Sequence, residues 1–225
     1  LRRGQEVAVA CLEALGPGGE DSVISLRGLL ALVSAHEWRK KGIPVPAVEG
    51  RIYPHFGVFS PVRGEYVDLV AKAPLPAGCE LAFDVGTGSG ILAAVLARRG
   101  IRRVVATDLD EAALAVLRER AGADGLRNVT TRRVDPSARE QPGLEAATYD
   151  LVLLAHVDHL LADRGAYLRA LRPALRRGGR IAISNRQDRE PGLREAAAAA
   201  GLSVREVAVD LPGQFLWELR PGAPP

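Results

Sequence analysis

The chain has 225 residues, 47% hydrophobic and 25% charged, with a formal net charge of +3. That length suffices for one α/β domain with a substantial core plus a small extension, and the composition is ordinary for a soluble globular protein. No apolar run approaches the roughly 20 residues of a membrane span, and no basic segment followed by an apolar core opens the chain as a leader would. Two cysteines, Cys11 and Cys79, are too few for a disulfide scaffold and form no metal-binding spacing. A cytoplasmic protein with free thiols and no membrane partner is expected. Only Lys40, Lys41 and Lys72 are lysines, so the positive charge is mostly arginine, as in a GC-rich bacterial proteome. Those arginines are scattered among acids rather than gathered into one basic stretch, which argues against a nucleic-acid partner. The chain begins at Leu1 and holds no methionine, so its numbering is expected to start inside a longer protein.

In chain order, residues 4–15 read as a short helix and GPGGED (16–21) as a loop. Residues 23–41 carry apolar groups at three- and four-residue spacing, a cationic end and then Gly42, the pattern of an amphipathic helix with a C-cap. The stretch 43–64 contains Pro44, Pro46, Pro54 and Pro61 and is expected to resist regular structure, as a linker or a cover over a site. From residue 79 the pattern changes. Strands are predicted at 80–86, 102–110, 128–134, 149–157 and 180–184, with helices at about 89–99, 111–121, 163–175 and 191–200. Two last strands, 203–209 and 214–220, follow with no helix between them. Alternating strands and helices imply a mostly parallel sheet covered on both faces, and ligands of such sheets bind beyond the carboxyl ends of the strands. The division expected is a helical extension (1–48), a linker or cap (49–77) and an α/β domain (78–225).

The sharpest signal is Asp84-Val85-Gly86-Thr87-Gly88-Ser89-Gly90 between a strand and a helix. Glycines there allow a tight turn and close approach of a ligand to the backbone. The dinucleotide fingerprint wants a glycine at position 91, which is Ile91. A pyrophosphate at this helix start would also be repelled by Asp84, whereas S-adenosylmethionine (SAM) brings an ammonium and a sulfonium, which an acid attracts. Asp108 ends the second strand, 18 residues after Gly90, a spacing suited to both ribose hydroxyls of NAD or SAM. Asp135 ends the third strand and suits an adenine amino group.

DVGTGSG (84–90) with ATDLD (106–110) resembles motifs I and II of the class I SAM-dependent methyltransferases, and YDLVLLAHVDHL (149–160), LRPALRRGGRIAIS (171–184) and AGLSVREV (200–207) are similar to the later half of that fold. The resemblance covers about residues 78–220. It implies a Rossmann-like, seven-stranded, mostly parallel sheet with the last strand antiparallel, and SAM as cofactor. On it, Asp84, Gly86, Gly88 and Gly90 cradle the methionine part, Asp108 holds the ribose and Asp135 the adenine, and Thr87, Leu109 and Ala155 also belong to the cofactor site. HFGVFSPVRGEYVDLV (55–70) is similar to the segment before motif I in HemK/PrmC-like and RsmC-like small-domain methyltransferases. That likeness places Phe59 and Arg63, with Pro61, Glu65 and Tyr66, near the cofactor.

Enzymes of that subgroup carry Asn-Pro-Pro-aromatic after the fourth strand, where this chain has Ala155-His156-Val157-Asp158. The motif's absence weakens the expectation of glutamine or exocyclic-amine methylation. His156 and His159 stand where the fourth strand delivers residues to the reacting atoms, and either can serve as a base for a hydroxyl or thiol acceptor. With Asp158 they match no common metal-ligand spacing, so no metal is expected. His55 with Tyr53, His36 with Trp38, and Trp217 read as turn or packing residues. The expected partner is a methyl acceptor, preferably a small molecule, with RNA or a protein side chain as alternatives, and a non-catalytic SAM-binding protein as the alternative to an enzyme.

Overall fold

The computed structural model describes residues 4–18, 23–48, 50–58 and 65–222. Helix α1 (Gly4–Leu15) lies against α2 (Leu26–Lys41). Ser25 caps α2 by accepting the Gly28 N–H at 3.1 Å, and Arg39, Lys40 and Lys41 occupy its last turn, where cations are favoured. Glu13 of α1 joins the two helices through His36 (2.5 Å) and Arg39 (2.6 Å).

The proline-rich stretch is more ordered than its composition predicts. β1 (Ile43–Val45) and β2 (Gly50–Ile52) form a two-stranded antiparallel hairpin. Pro44 fits because a two-stranded ribbon leaves it exposed, where no ladder donor is required. Val45, Val48 and Ile52 are buried and pack into the same core as the first helix of the α/β domain. α3 (Glu65–Lys72), for which the sequence reading has no helix, buries Tyr66, Val67 and Val70 against that core.

β3 (Leu81–Val85), α4 (Ile91–Arg98), β4 (Arg103–Asp108), α5 (Glu111–Ala123), β5 (Val129–Arg133), β6 (Tyr149–Ala155), α6 (Arg164–Leu171), β7 (Leu175–Arg186), α7 (Leu193–Ala199), β8 (Leu202–Val207) and β9 (Gln214–Pro221) follow. The seven strands β3–β9 form one sheet in the order β5-β4-β3-β6-β7-β9-β8. All neighbours are parallel except β9, which runs antiparallel to both β7 and β8. The expected seven-stranded α/β sheet with a reversed last strand is therefore present. α6 stops earlier than predicted because Pro173 cannot continue it; residues 172–174 make a 3-10 turn, and β7 begins at Leu175.

Each face of the sheet carries its own core. Ala82, Val104, Leu151 and Leu153 pack under α3, α4 and the hairpin. Phe83, Val152, Leu154, Ile181, Ile183 and Trp217 pack under α6 and α7. α4 is apolar from Ile91 to Ala97 and buried throughout, as a helix apolar on all sides must be. The chain goes from β3 outward to β4 and β5, then returns to place β6 on the other side of β3. That reversal makes the carboxyl ends of β3 and β6 the switch point, where open α/β sheets hold their ligands.

Candidate active site

At that switch point lies a cavity of about 330 Å³, at the small end of ligand pockets. Its floor is the ends of β3 and β4 (Phe83, Val85, Thr107, Asp108), and Gly86 and Gly88 form one rim. Ala155, His156 and Val157 leave β6 along a second wall, residues 139–142 with Tyr167 form a third, and Gly57 and Val58 come from the N-terminal segment.

The glycine loop has the conformation its sequence demands. Gly86 and Gly90 have φ of 64° and 76°, in the left-handed region costly for other residues. A Cβ on Gly86 would lie 2.6 Å from Val157 Cγ1, and one on Gly90 would lie 2.3 Å from Leu117 Cδ1. So Gly90 lets α4 start against α5, and Gly86 lets the loop pass close beneath the β6 exit. Thr87 donates its hydroxyl downward to Asp84 Oδ2 at 2.6 Å, and its N–H reaches Thr107 O at 2.8 Å.

Asp84 is buried beneath the loop. Burial, and after it the neighbouring Asp108, pushes its carboxyl up to about 7, against the Thr87 hydrogen bond that favours the anion. Asp108 lies on the cavity wall, where its Oδ2 accepts the Gly88 N–H at 2.8 Å and its Oδ1 accepts the Asp110 N–H at 3.0 Å. Leu109 lines the cavity at its exposed edge.

The sequence-predicted residues divide accordingly. Gly86, Gly88, Asp108, Leu109, Ala155 and His156 line the cavity. Asp84, Thr87 and Gly90 build the loop from behind. Asp135 is next to the lining residue Val134, but its carboxylate accepts the N–H and hydroxyl of Ser137 at 2.8 and 2.7 Å, which lowers its pKa. His159 is not among the lining residues and meets Asn185 instead, its Nδ1 3.0 Å from Asn185 Nδ2. Phe59 and Arg63 lie outside the described residues. Of the lesser candidates, His55 contacts Arg39, and buried Trp217 has Arg194 over its ring at 4.8 Å.

His156 has φ of 59°, a conformation non-glycine residues seldom adopt and one that concentrates at functional sites. Its ring meets Tyr66 edge-on, centroids 4.8 Å apart. Burial, and then the nearby His159, holds the imidazole pKa below its usual value. Tyr66 is raised by burial and by the Asp84 charge, so its phenol keeps its proton. The sequence reading missed Phe83, Tyr167 and the 139–142 wall. Only the helical periodicity of α6 could have marked Tyr167, which burial and Glu140 push up to about 12.

Residues 83–183 match the family model described as a methyltransferase domain. The ubiquinone biosynthesis O-methyltransferase of Acinetobacter baumannii is 33% identical over 127 residues, covering 56% of this chain and 50% of that protein. The ribosomal protein L11 methyltransferase of Geobacter metallireducens is 38% identical over 81 residues, 36% of this chain and 26% of its own length. The chain thus spans about half, or less, of the length of these curated relatives. Among solved structures, a SAM-dependent methyltransferase from Aquifex aeolicus superposes with a TM-score of 0.59 at 23% identity, over 71% of this chain and 93% of that one, a likeness of fold. Strand order, the glycine loop and its two acids agree with the family match: residues 83–183 are similar to a methyltransferase domain and lie on the fold seen in a SAM-dependent methyltransferase.

Proposed function

We propose that the protein transfers the methyl group of SAM to an oxygen, nitrogen or sulfur atom of an acceptor, preferably a small molecule. The observation that carries this reading is the pair of carboxylates, Asp84 and Asp108, on either side of a glycine loop at the switch point. Two acids there suit a cationic ligand and oppose a pyrophosphate. When bound, SAM supplies an electrophilic methyl group on a sulfonium.

The chain's own residues then have separable tasks. The half-buried backbone at Gly86 and Gly88 accepts the methionine part, with Asp84 beneath it, whose carboxyl, at about 7, is drawn toward its anion by a cation above it. Asp108 takes the ribose hydroxyls with lone pairs left over from its two backbone contacts. Asp135 takes the adenine amino group by exchanging its bond to Ser137. Ala155 and Val157 close the cavity around the reacting end. The 49–77 segment, with Phe59 and Arg63, serves as its cover, supported by Gly57 and Val58 in the wall, and residues 1–48 extend that cover.

His156 is the base. Burial, and then His159, lowers its pKa and so favours the neutral imidazole, the form that takes a proton from a hydroxyl or thiol acceptor. Such assistance contributes roughly 10²- to 10⁴-fold, the rest coming from holding nucleophile and methyl group in line. His159, 3.0 Å from Asn185, supports the same loop. The mostly apolar wall of Val58, Phe83, Val85, Leu109 and Leu161 supports a small acceptor. A protein acceptor is the competing reading, favoured by the match to the ribosomal protein L11 methyltransferase. The reading places the protein in the bacterial cytoplasm; no helix among the described residues is long and apolar enough to cross a membrane.

The test is a screen with methyl-labelled SAM against hydroxylated, amine and thiol metabolites, in parallel with bacterial protein and RNA. Label in a small molecule, reduced 100-fold or more by His156→Ala, supports the proposal. Label in protein or RNA alone overturns the small-molecule preference, and label in nothing overturns catalysis.

A further inference from the structure

Behind His156 lies a buried polar node that nothing in the sequence announces. The last residues of β7 run along the back of the loop leaving β6. His156 N–H donates to Ser184 O at 2.8 Å. Asn185, 1% exposed, donates from Nδ2 to Asp158 Oδ1 at 2.6 Å and lies 3.0 Å from His159 Nδ1. Its Oδ1 accepts the Arg186 N–H at 2.8 Å. Asp158 is equally buried, with its second oxygen 3.6 Å from Arg164 Nε at the start of α6. Arg164 in turn donates to the carbonyls of Arg189 and Pro191.

The orientation of the Asn185 amide follows from the chemistry of its neighbours. A carboxylate at Asp158 only accepts and the Arg186 N–H only donates, so Nδ2 faces the first and Oδ1 the second. The remaining Nδ2 hydrogen points at His159 Nδ1, which must accept it. The His159 ring proton is thereby assigned to Nε2. Asn185 thus joins both residues that follow the β6 exit to the body of the sheet.

The left-handed backbone of His156 needs such support, because a non-glycine residue stays there only where its surroundings over-determine it. We propose that Asn185 is the positioning residue for His156: by fixing Asp158 and His159 it holds the 156–159 turn in the form that keeps the His156 ring in the cavity wall and against Tyr66. The consequence for catalysis rests on His156 acting as the base; the positioning itself does not. On this account His159 works within the node, at a distance from the reacting atoms.

The chain has four histidines, so their ring signals can be followed one by one by NMR in the intact protein. In the wild type, the nitrogen shifts of His159 should report the Nε2–H tautomer. In Asn185→Ala, that tautomer preference should be lost and the His156 signals should move, while those of His36 and His55, on the N-terminal side, stay in place. Asp158→Asn, which keeps the size of the side chain, should move His156 the same way and serves if the alanine variant does not fold. A wild-type His159 carrying its proton on Nδ1, or His156 signals unmoved in a folded variant, would overturn the proposal. A separate titration of the wild type with S-adenosylhomocysteine tells the two readings apart: no binding there removes the proposed function and leaves the positioning result standing.

Discussion

Asp84 and Asp108 end adjacent parallel strands and grip the same glycine loop from two sides, Asp84 through the Thr87 hydroxyl at 2.6 Å and Asp108 through the Gly88 N–H at 2.8 Å. They differ in surroundings, since Asp84 is buried and Asp108 lies on the cavity wall. One therefore braces the loop from below with a carboxyl that titrates at about 7, and the other both shapes the loop and remains available to a ligand.

The burial of Asp84 makes stability depend on pH. Its folded pKa, about 7, lies above the unfolded carboxylate value. A raised pKa means that the native state binds the proton more tightly, so this group's contribution is fully present below about pH 4 and is lost as pH rises through about 7. Asp84→Asn keeps an acceptor for Thr87 and removes the titration. Thermal unfolding at pH 5 and pH 8 should show the variant gaining on the wild type at pH 8. An unchanged difference between the two pH values would contradict the assignment.

Gly86→Ala should be destabilising by two separable routes. The left-handed backbone costs about 1–2 kcal/mol for a residue with a Cβ, and the new Cβ meets Val157 Cγ1 at 2.6 Å. Adding Val157→Ala should relieve the clash and leave the backbone cost. In urea denaturation, the double variant should therefore recover only part of the stability lost, after allowance for Val157→Ala alone.

A third prediction concerns the sheet away from the cavity. Glu218, 3% exposed, receives Arg180 at 3.1 Å, Arg205 at 2.8 Å and Arg220 at 3.1 Å. Arg180 is itself buried and donates to Pro74 O at 2.7 Å. Removing one partner of a buried pair costs about 3–5 kcal/mol because the other charge is stranded. Glu218→Ala should lower stability by that order while leaving ligand affinity in the surviving folded protein within a factor of about two, since Glu218 is not among the cavity-lining residues. Chemical denaturation paired with a ligand titration checks both halves.

How much of this was legible in the sequence depended on the range of the interactions. The strands β3, β4 and β6 and the loop Asp84–Gly90 were readable because apolar runs, glycines and strand-terminal acids are local signals. The hairpin at 43–52 was not, because its prolines argue against strands and its order comes from packing Val45, Val48 and Ile52 into the domain core. The missed wall at residues 139–142 depends on where the loop after β5 is tied down, partly by Arg132 reaching the carbonyls of Pro142 and Gly143. Asp135 carries two local signals at once: it ends a strand, and Asp-Pro-Ser is a turn sequence that the carboxylate caps. The contact of Asn185 with Asp158 and His159 joins residues 26 and 27 positions apart, which no periodicity encodes.

The measurement that bears most directly on the central claim is a calorimetric titration of the purified protein with SAM, S-adenosylhomocysteine and NADH, repeated on Asp108→Ala. Both adenosyl ligands should bind in the micromolar range, at about −8 kcal/mol, while NADH should bind far more weakly. Asp108→Ala should weaken the adenosyl ligands by at least about tenfold, the loss of roughly one charge-assisted hydrogen bond. Absence of adenosyl binding, or tighter binding of NADH, would contradict the account and leave the glycine loop without its proposed ligand.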